Sequence, residues 1–200
     1  GSVTKSLLLF ALPLVAGILL QQFCIIADTL IVGRFIGPDA LAAVGSAYSL
    51  MTFLTSIIIG LCMGSGALFS IFFGRKDMDK LKNSIFVSFI IIAATTLVLN
   101  IAVFILIDNI LVFLRVPAEV YSIMRDYIFV IFIGLGASFL YNFFASLLRS
   151  IGNSVVPLLF LAVSAVMNIV LDLVFVITFD WGVSGAAAAT VISQFVSGIG

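Results

Sequence analysis

Two acidic residues, Asp28 and Asp172, lie inside long apolar stretches of this 200-residue chain. Asp28 lies in LLQQFCIIADTLIVG, and Asp172 lies in SAVMNIVLDLVFVIT. A carboxylate inside a membrane helix costs about 2.5–3.5 kcal/mol on insertion scales, so such a residue is usually functional. Its usual tasks are to carry a proton, to bind a cation or to line a substrate path. We therefore interpret the two aspartates as candidate charge carriers of an ion-coupled membrane transporter.

The composition excludes a water-soluble domain. Hydrophobic residues make up 64% of the chain and charged residues only 9%, against about 45–50% and about 25% in soluble proteins. The net charge is zero, so no basic patch points to nucleic acid. Histidine is absent, which removes the commonest proton shuttle and metal ligand and leaves proton traffic to carboxylates. We interpret Cys24 and Cys62 as small buried hydrophobic residues.

Charge-free stretches predict an all-α integral membrane bundle in a single domain, residues 1–200. Each stretch is long enough to cross a hydrocarbon core of about 30 Å. The predicted transmembrane helices span roughly 7–33, 46–73, 84–107, 121–148, 155–179 and 183–200. The segment PDALAAVGSA (38–47) is expected to form a bent lead-in to the second helix or a surface turn. The connections are too short to hold a soluble domain.

The distribution of Lys and Arg predicts a cytoplasmic N-terminus, because cytoplasmic loops are enriched in basic residues. In that orientation the cytoplasmic side carries Lys5, Arg75, Lys76, Lys80, Lys82 and Arg149. The outer side carries Arg34, Arg115 and Arg125. The expected location is the plasma membrane, which is the inner membrane in a prokaryote.

Helix depth predicts that polar side chains from four helices meet at one level. With a rise of about 1.5 Å per residue, Asp28 lies about 8 Å, Tyr127 about 9 Å, and Asp172 and Thr190 about 10 Å below the outer edge. Asn168 lies one turn deeper than Asp172 and shares its helix face, since the two are four residues apart. We interpret these five residues as a proton- or ion-coupling cluster.

Two chemistries fit the cluster. An apolar environment disfavours the charged form of a carboxylate, so Asp28 or Asp172 could hold a proton and release it on opening to water. Alternatively, Asp28, Asn168, Asp172 and Thr190 would provide oxygen ligands for Na⁺. The competing structural explanations are a helix-capping or Arg34-paired Asp28, and interhelical hydrogen bonding by Asn168 and Thr190.

Three further polar residues are predicted to line a substrate cavity. Gln21 is seven residues from Asp28 and shares its helix face, and Gln22 lies beside it near the midplane. Asn142 is assigned to the same cavity, with an interhelical hydrogen bond as its alternative role.

Three segments resemble the multidrug and toxic compound extrusion (MATE) family. They are Pro13 with QQFCIIADTLIVGRFIGPDALAAVG (21–45), LLRSIGNSVVP (147–157) and MNIVLDLVFVITFDWGVSGAAAATVISQ (167–194). The resemblance implies a twelve-helix protein of two six-helix lobes, of which this chain would be the amino-terminal lobe without its carboxy-terminal partner. It also implies export of organic cationic or amphipathic compounds in exchange for H⁺ or Na⁺. The family's coupling positions match Asp28, Asn168, Asp172, Tyr127 and Thr190, and its cavity position in helix 1 matches Gln21.

Other function classes are less well supported. A lipid or lipid-linked oligosaccharide flippase of the same superfamily would need basic groups in its cavity, and no Lys or Arg lies well inside an apolar run. Motifs of intramembrane enzymes and a P-loop are absent from the sequence, so we expect neither catalysis nor direct ATP drive. We expect no cofactor besides the coupling ion; the expected partners are small organic substrates, membrane lipid and the other lobe. Substrate identity, the choice between H⁺ and Na⁺, and oligomeric state stay open.

Overall fold

The computed structural model describes residues 3–113 and 116–199, so Arg115 from the orientation count and Gly200 at the end of the sixth predicted helix lie outside the described residues. Within these ranges every long element is a helix. The helices are α1 (Val3–Phe35), α2 (Pro38–Gly74), α3 (Met78–Phe113), α4 (Ala118–Ile133), α5 (Leu135–Ser150), α6 (Val155–Asp172) and α7 (Gly182–Ile199), with a π-helical segment Leu173–Thr178 extending α6.

The helices form six apolar spans of membrane length, which confirms the predicted all-α, six-span membrane fold. Helix α3 begins at Met78 and ends at Phe113, well outside the predicted 84–107. The reason is that charged residues such as Lys82 and Asp108 mark the edge of the apolar core, whereas a helix continues through them until a turn residue stops it.

The start of the second span is helical, so the surface turn, one of the two expected structures, is wrong. Residues Pro38–Gly74 form one continuous helix of 37 residues. Proline is favoured in the first helical turn, and the alanine-rich residues that follow have high helix propensity. The chain reverses before this helix at Gly37, whose φ of 118° is open to glycine but strained for other residues.

The fourth span, predicted as one helix over 121–148, is interrupted at Gly134 between α4 and α5. The amide of Asn100 in α3 donates a hydrogen bond of 2.8 Å to the carbonyl oxygen of Phe132 beside this break. A Cβ atom at Gly134 would lie 2.9 Å from both Gln194 Oε1 and Val191 Cγ2 of α7. The missing side chain at Gly134 therefore lets α7 approach the backbone of the fourth span closely.

The fifth span, predicted as one helix over 155–179, changes to π-helical geometry directly after Asp172. The N–H of Phe179 bonds to the carbonyl of Val174, five residues earlier, at 3.0 Å. The rings of Phe175 and Trp181 follow with centroids 4.9 Å apart. These contacts close the C-terminal end of the span and turn the chain into α7.

Helix α7 occupies the centre of the bundle and packs on α4, α5 and α6, while α2 packs on α3, α4 and α5. Its small buried residues Gly185, Ala186, Ala187 and Ala189 permit this close packing. Helix α1 lies at the side and packs mainly on α6. Most of its large apolar side chains are exposed, as expected for a surface in contact with lipid. The face of α1 that carries Asp28 is thereby directed toward α6.

Candidate ion-coupling site

Asp172 is a buried carboxylate to which no described side-chain or backbone donor outside the acidic pair gives a hydrogen bond. Its side chain is 0% exposed, and neither of its oxygens accepts a hydrogen bond from any described residue outside that pair. It is the last residue of α6 before the π-helical segment. An unpaired charge in such a position is strongly unfavourable, so the site favours a neutral carboxyl group or a bound cation.

Asp28 of α1 lies directly opposite Asp172. The two carboxyl groups are within hydrogen-bonding range of each other, and Asp28 Oδ1 is also buried without a partner among the described residues. Arg34 does not pair with Asp28 in the described structure, whose ion pairs are Lys80–Asp77 and Arg125–Asp108. Two adjacent carboxylates repel when both are charged, so the pair requires a shared proton or a cation.

Asn168 and Thr190 connect α6 to α7 beside this pair. The amide of Asn168 lies 3.4 Å from Thr190 Oγ1, and the Thr190 hydroxyl donates a 3.1 Å hydrogen bond to the carbonyl of Ala186 in its own helix. Asn168 is 5% exposed and lies one turn from Asp172 on α6. The interhelical contact is thus present, and Asn168 places it on the helix face that also carries Asp172.

Tyr127 of α4 covers one side of the cluster. It is half-buried and packs against the apolar group formed by Ile31, Val32, Val176, Val183 and Ala186. Its hydroxyl is close enough to both carboxyl groups to interact with them electrostatically. Contacts from α1, α4, α6 and α7 therefore converge on one polar cluster, defined here as Asp28, Tyr127, Asn168, Asp172 and Thr190.

Two serines extend the polar contact between α6 and α7 and were not predicted. Ser164 Oγ donates a 2.8 Å hydrogen bond to the carbonyl of Ser193, and Ser193 Oγ donates to the carbonyl of Thr190 at 2.9 Å. Ser164 precedes Asn168 by four residues, so the same helical spacing could have identified it. Ser193 carries no comparable signal, because its role depends on the neighbouring helix.

Cys24 was interpreted as a small buried hydrophobic residue, but its side chain is only half-buried. It lies one turn before Asp28 on α1 and is close enough to interact electrostatically with Asp28 and Asp172. Cys62, in contrast, is fully buried in the main apolar core. The four-residue spacing between Cys24 and Asp28 could have indicated that the two side chains share a helix face.

The structure does not bring the three predicted cavity residues into the polar cluster. Gln21 and Gln22 are exposed on α1. Asn142 is half-buried and donates a 2.8 Å hydrogen bond to the carbonyl of Ser138 in its own helix, so it does not bond across an interface. Their assignment to a substrate cavity stays a prediction.

The polar cluster can act on a proton or on a hard cation. A proton needs only the carboxyl pair, since one proton between the two groups removes one charge and forms a hydrogen bond. Among the described residues no group of three or more His, Cys, Asp or Glu side chains surrounds a common point. A cation would therefore depend on both carboxylates together with the amide of Asn168 and the hydroxyl of Thr190, which are the oxygen ligands that hard cations prefer.

Comparison with known proteins identifies the family. The MatE family model matches residues 13–174. The chain is 33% identical over 200 residues to the probable multidrug resistance protein YoeA of Bacillus subtilis (strain 168), and 30% identical over 197 residues to the probable multidrug resistance protein YpnP of the same organism. The solved outward-facing structure of a multidrug resistance MATE family transporter superimposes with a TM-score of 0.93 at 26% identity, covering 100% of this chain and 44% of that one.

The two matches to Bacillus proteins each cover 98% of this chain but only 43–44% of the relative. The chain thus spans less than half the length of these relatives. Because the family match extends over residues 13–174, this multi-pass membrane chain belongs to the MatE family, the multidrug and toxic compound extrusion transporters.

Proposed function

We propose that this chain is one lobe of a multidrug efflux antiporter that exports organic cationic or amphipathic compounds in exchange for a coupling ion. Asp28 and Asp172 take up that ion. The observation that carries the proposal is the carboxyl pair, of which Asp28 Oδ1 and both oxygens of Asp172 are buried without a hydrogen-bond donor, and which has no basic ion-pair partner in the described part of the chain.

A proton is the coupling ion that the pair accommodates most simply. Two carboxylates in contact cannot both stay charged in an apolar environment, and one shared proton relieves the repulsion. Loss of the proton restores two negative charges, which favour an organic cation and push α1 and α6 apart. Proton and substrate then bind preferentially to different states, as coupled exchange requires.

Helix α1 is the element that responds to this change. It contacts the bundle mainly through α6, where a Cβ atom at Gly17 would lie in ordinary van der Waals contact with Leu158 and Leu161. Repulsion between Asp28 and Asp172 therefore acts at the interface that holds α1 in place. A movement of α1 would change access to the polar cluster while leaving the contacts of α7 with α4, α5 and α6 in place.

The similar proteins support an efflux activity and a two-lobe organisation for the full-length protein. They are named as multidrug resistance proteins and are more than twice as long as this chain, which supports efflux over the flippase alternative and supports a second, carboxy-terminal lobe. Alternating access would then operate between two lobes of a twelve-helix protein. The excess of Lys and Arg at one end of the spans supports a cytoplasmic N-terminus in the plasma membrane.

The test is efflux of a fluorescent organic cation by the full-length protein in proteoliposomes, with pH and Na⁺ gradients imposed separately. Asp28→Asn and Asp172→Asn keep the size of each side chain but cannot cycle a proton, so both should abolish gradient-driven efflux. Asp180→Asn is the matched control, because Asp180 is exposed and has φ of 53°, a conformation that asparagine tolerates. Unchanged coupled efflux in both test variants would refute the proposal, and efflux driven by Na⁺ alone would replace the proton with Na⁺.

A further inference from the structure

An apolar groove lies between α3 and α5, on helices other than those that form the carboxyl pair. Its volume is about 280 Å³, and it is lined by Lys82, Ile85, Phe86, Phe89, Phe143 and Phe144. It begins at the start of the third span and continues toward the membrane interior. Lys82, the charged residue of the lining, lies at the mouth of the groove.

The floor of the groove is a packed aromatic cluster. The ring of Phe143 is 1% exposed and packs edge-on against Phe89 and Phe69, with ring centroids 5.2 Å and 6.0 Å away. Phe86 and Phe144 form exposed walls, at 67% and 45% exposure. A groove with a preformed floor needs little ordering when it binds a ligand, which lowers the entropic cost of binding.

Lys82 is an available cation at the mouth of this groove. It is exposed and forms no ion pair with any described residue, whereas the nearby carboxylate of Asp77 is paired with Lys80 at 3.1 Å. Phe86 follows Lys82 by one turn, so its ring starts about 6 Å further into the membrane. A cation therefore lies at the membrane surface directly above an apolar trough.

We propose that this groove binds an anionic phospholipid, with the headgroup phosphate on Lys82 and an acyl chain along Phe86, Phe89 and Phe144. The occupant follows from charge complementarity at the mouth and apolar complementarity below it. One unpaired basic residue near the surface gives about a fivefold preference for an anionic over a zwitterionic lipid. The site is independent of Asp28 and Asp172 and does not rest on the proposed transport activity.

The test uses the full-length protein in vesicles that contain equal amounts of phosphatidylglycerol and phosphatidylcholine. In two parallel samples, one or the other lipid carries a photoreactive diazirine in its acyl chain. Adducts on the α3 and α5 peptides are then quantified by mass spectrometry. Phosphatidylglycerol should label the groove about five times more than phosphatidylcholine. Lys82→Ala should remove that preference, and Lys82→Arg should keep it.

Lys80→Ala is the matched control, since Lys80 lies one half-turn away and does not line the groove. Labelling at Ile105, which is exposed near the other end of α3, reports correct insertion of each variant. Equal loss of preference in Lys80→Ala and Lys82→Ala would overturn the proposal in favour of diffuse attraction by the loop. Labelling at Ile105 without labelling of the groove would also overturn it, because protein would then cover the groove.

Discussion

Substitution of Gly66 by alanine should destabilise the contact between α2 and α5. A Cβ atom at Gly66 would overlap Ser146 Oγ and lie 3.3 Å from the Ser146 carbonyl oxygen. That hydroxyl donates a 2.7 Å hydrogen bond to the carbonyl of Cys62 across the interface. Overpacking costs about 1–3 kcal/mol, and the displaced interhelical hydrogen bond adds about 0.6 kcal/mol. The gain from replacing a helical glycine is about 0.5–1 kcal/mol, so the net loss should be about 0.6–3 kcal/mol.

The matched control lies two residues earlier on the same helix. A Cβ atom at Gly64 meets nothing within 4 Å, so Gly64→Ala should stabilise the protein by about 0.5–1 kcal/mol. The free energy of unfolding of the full-length protein would be measured in bicelles by steric trapping. Opposite signs for the two alanine variants are the expected result.

A double variant tests the cause of the effect. Ser146→Ala removes the hydroxyl that obstructs the new methyl group, so Gly66→Ala should cost less in that background than in the wild type. The two substitutions should therefore be non-additive, as neighbouring residues in contact usually are. Additive losses, or equal effects at Gly64 and Gly66, would refute the packing that the structure describes.

Two smaller effects are also expected. Asn100→Leu should lower the free energy of unfolding by about 0.6–1.7 kcal/mol, because the carbonyl of Phe132 at the break in the fourth span loses its donor; a change below the error of steric trapping would contradict this role. The hydrogen bond from the Lys80 side chain holds the pKa of Asp77 below its ordinary value, so the stabilisation by Asp77 should be complete above about pH 4 and should fall as pH drops through the lowered pKa. Asp77→Ala should accordingly lower the melting temperature at pH 7 more than at pH 3, and an equal loss at both pH values would contradict the role of this bond.

Local properties of the chain were predictable from sequence. The six spans follow from runs of apolar residues, since their length and composition alone decide whether a helix suits a bilayer. Asn168 and Asp172 share a helix face because they are four residues apart, whatever the helix packs against. The surface turn considered near Pro38 was wrong because proline at a helix start and proline in a turn look alike in sequence.

Helix neighbours were decided only by the tertiary structure. Depth along α1 and α6 predicted that Asp28 and Asp172 lie at one level, but not that α1 turns its aspartate toward α6 with Cys24 beside it. The interruption at Gly134 is accompanied by close packing of α7 and by the amide of Asn100, which are distant in sequence. Gly64 and Gly66 are the same residue type on one helix, yet only Gly66 is packed against a neighbour. In a uniformly apolar bundle, side-chain shape and polar pairing between helices determine which helices contact each other. The hydropathy of a single span predicts neither property.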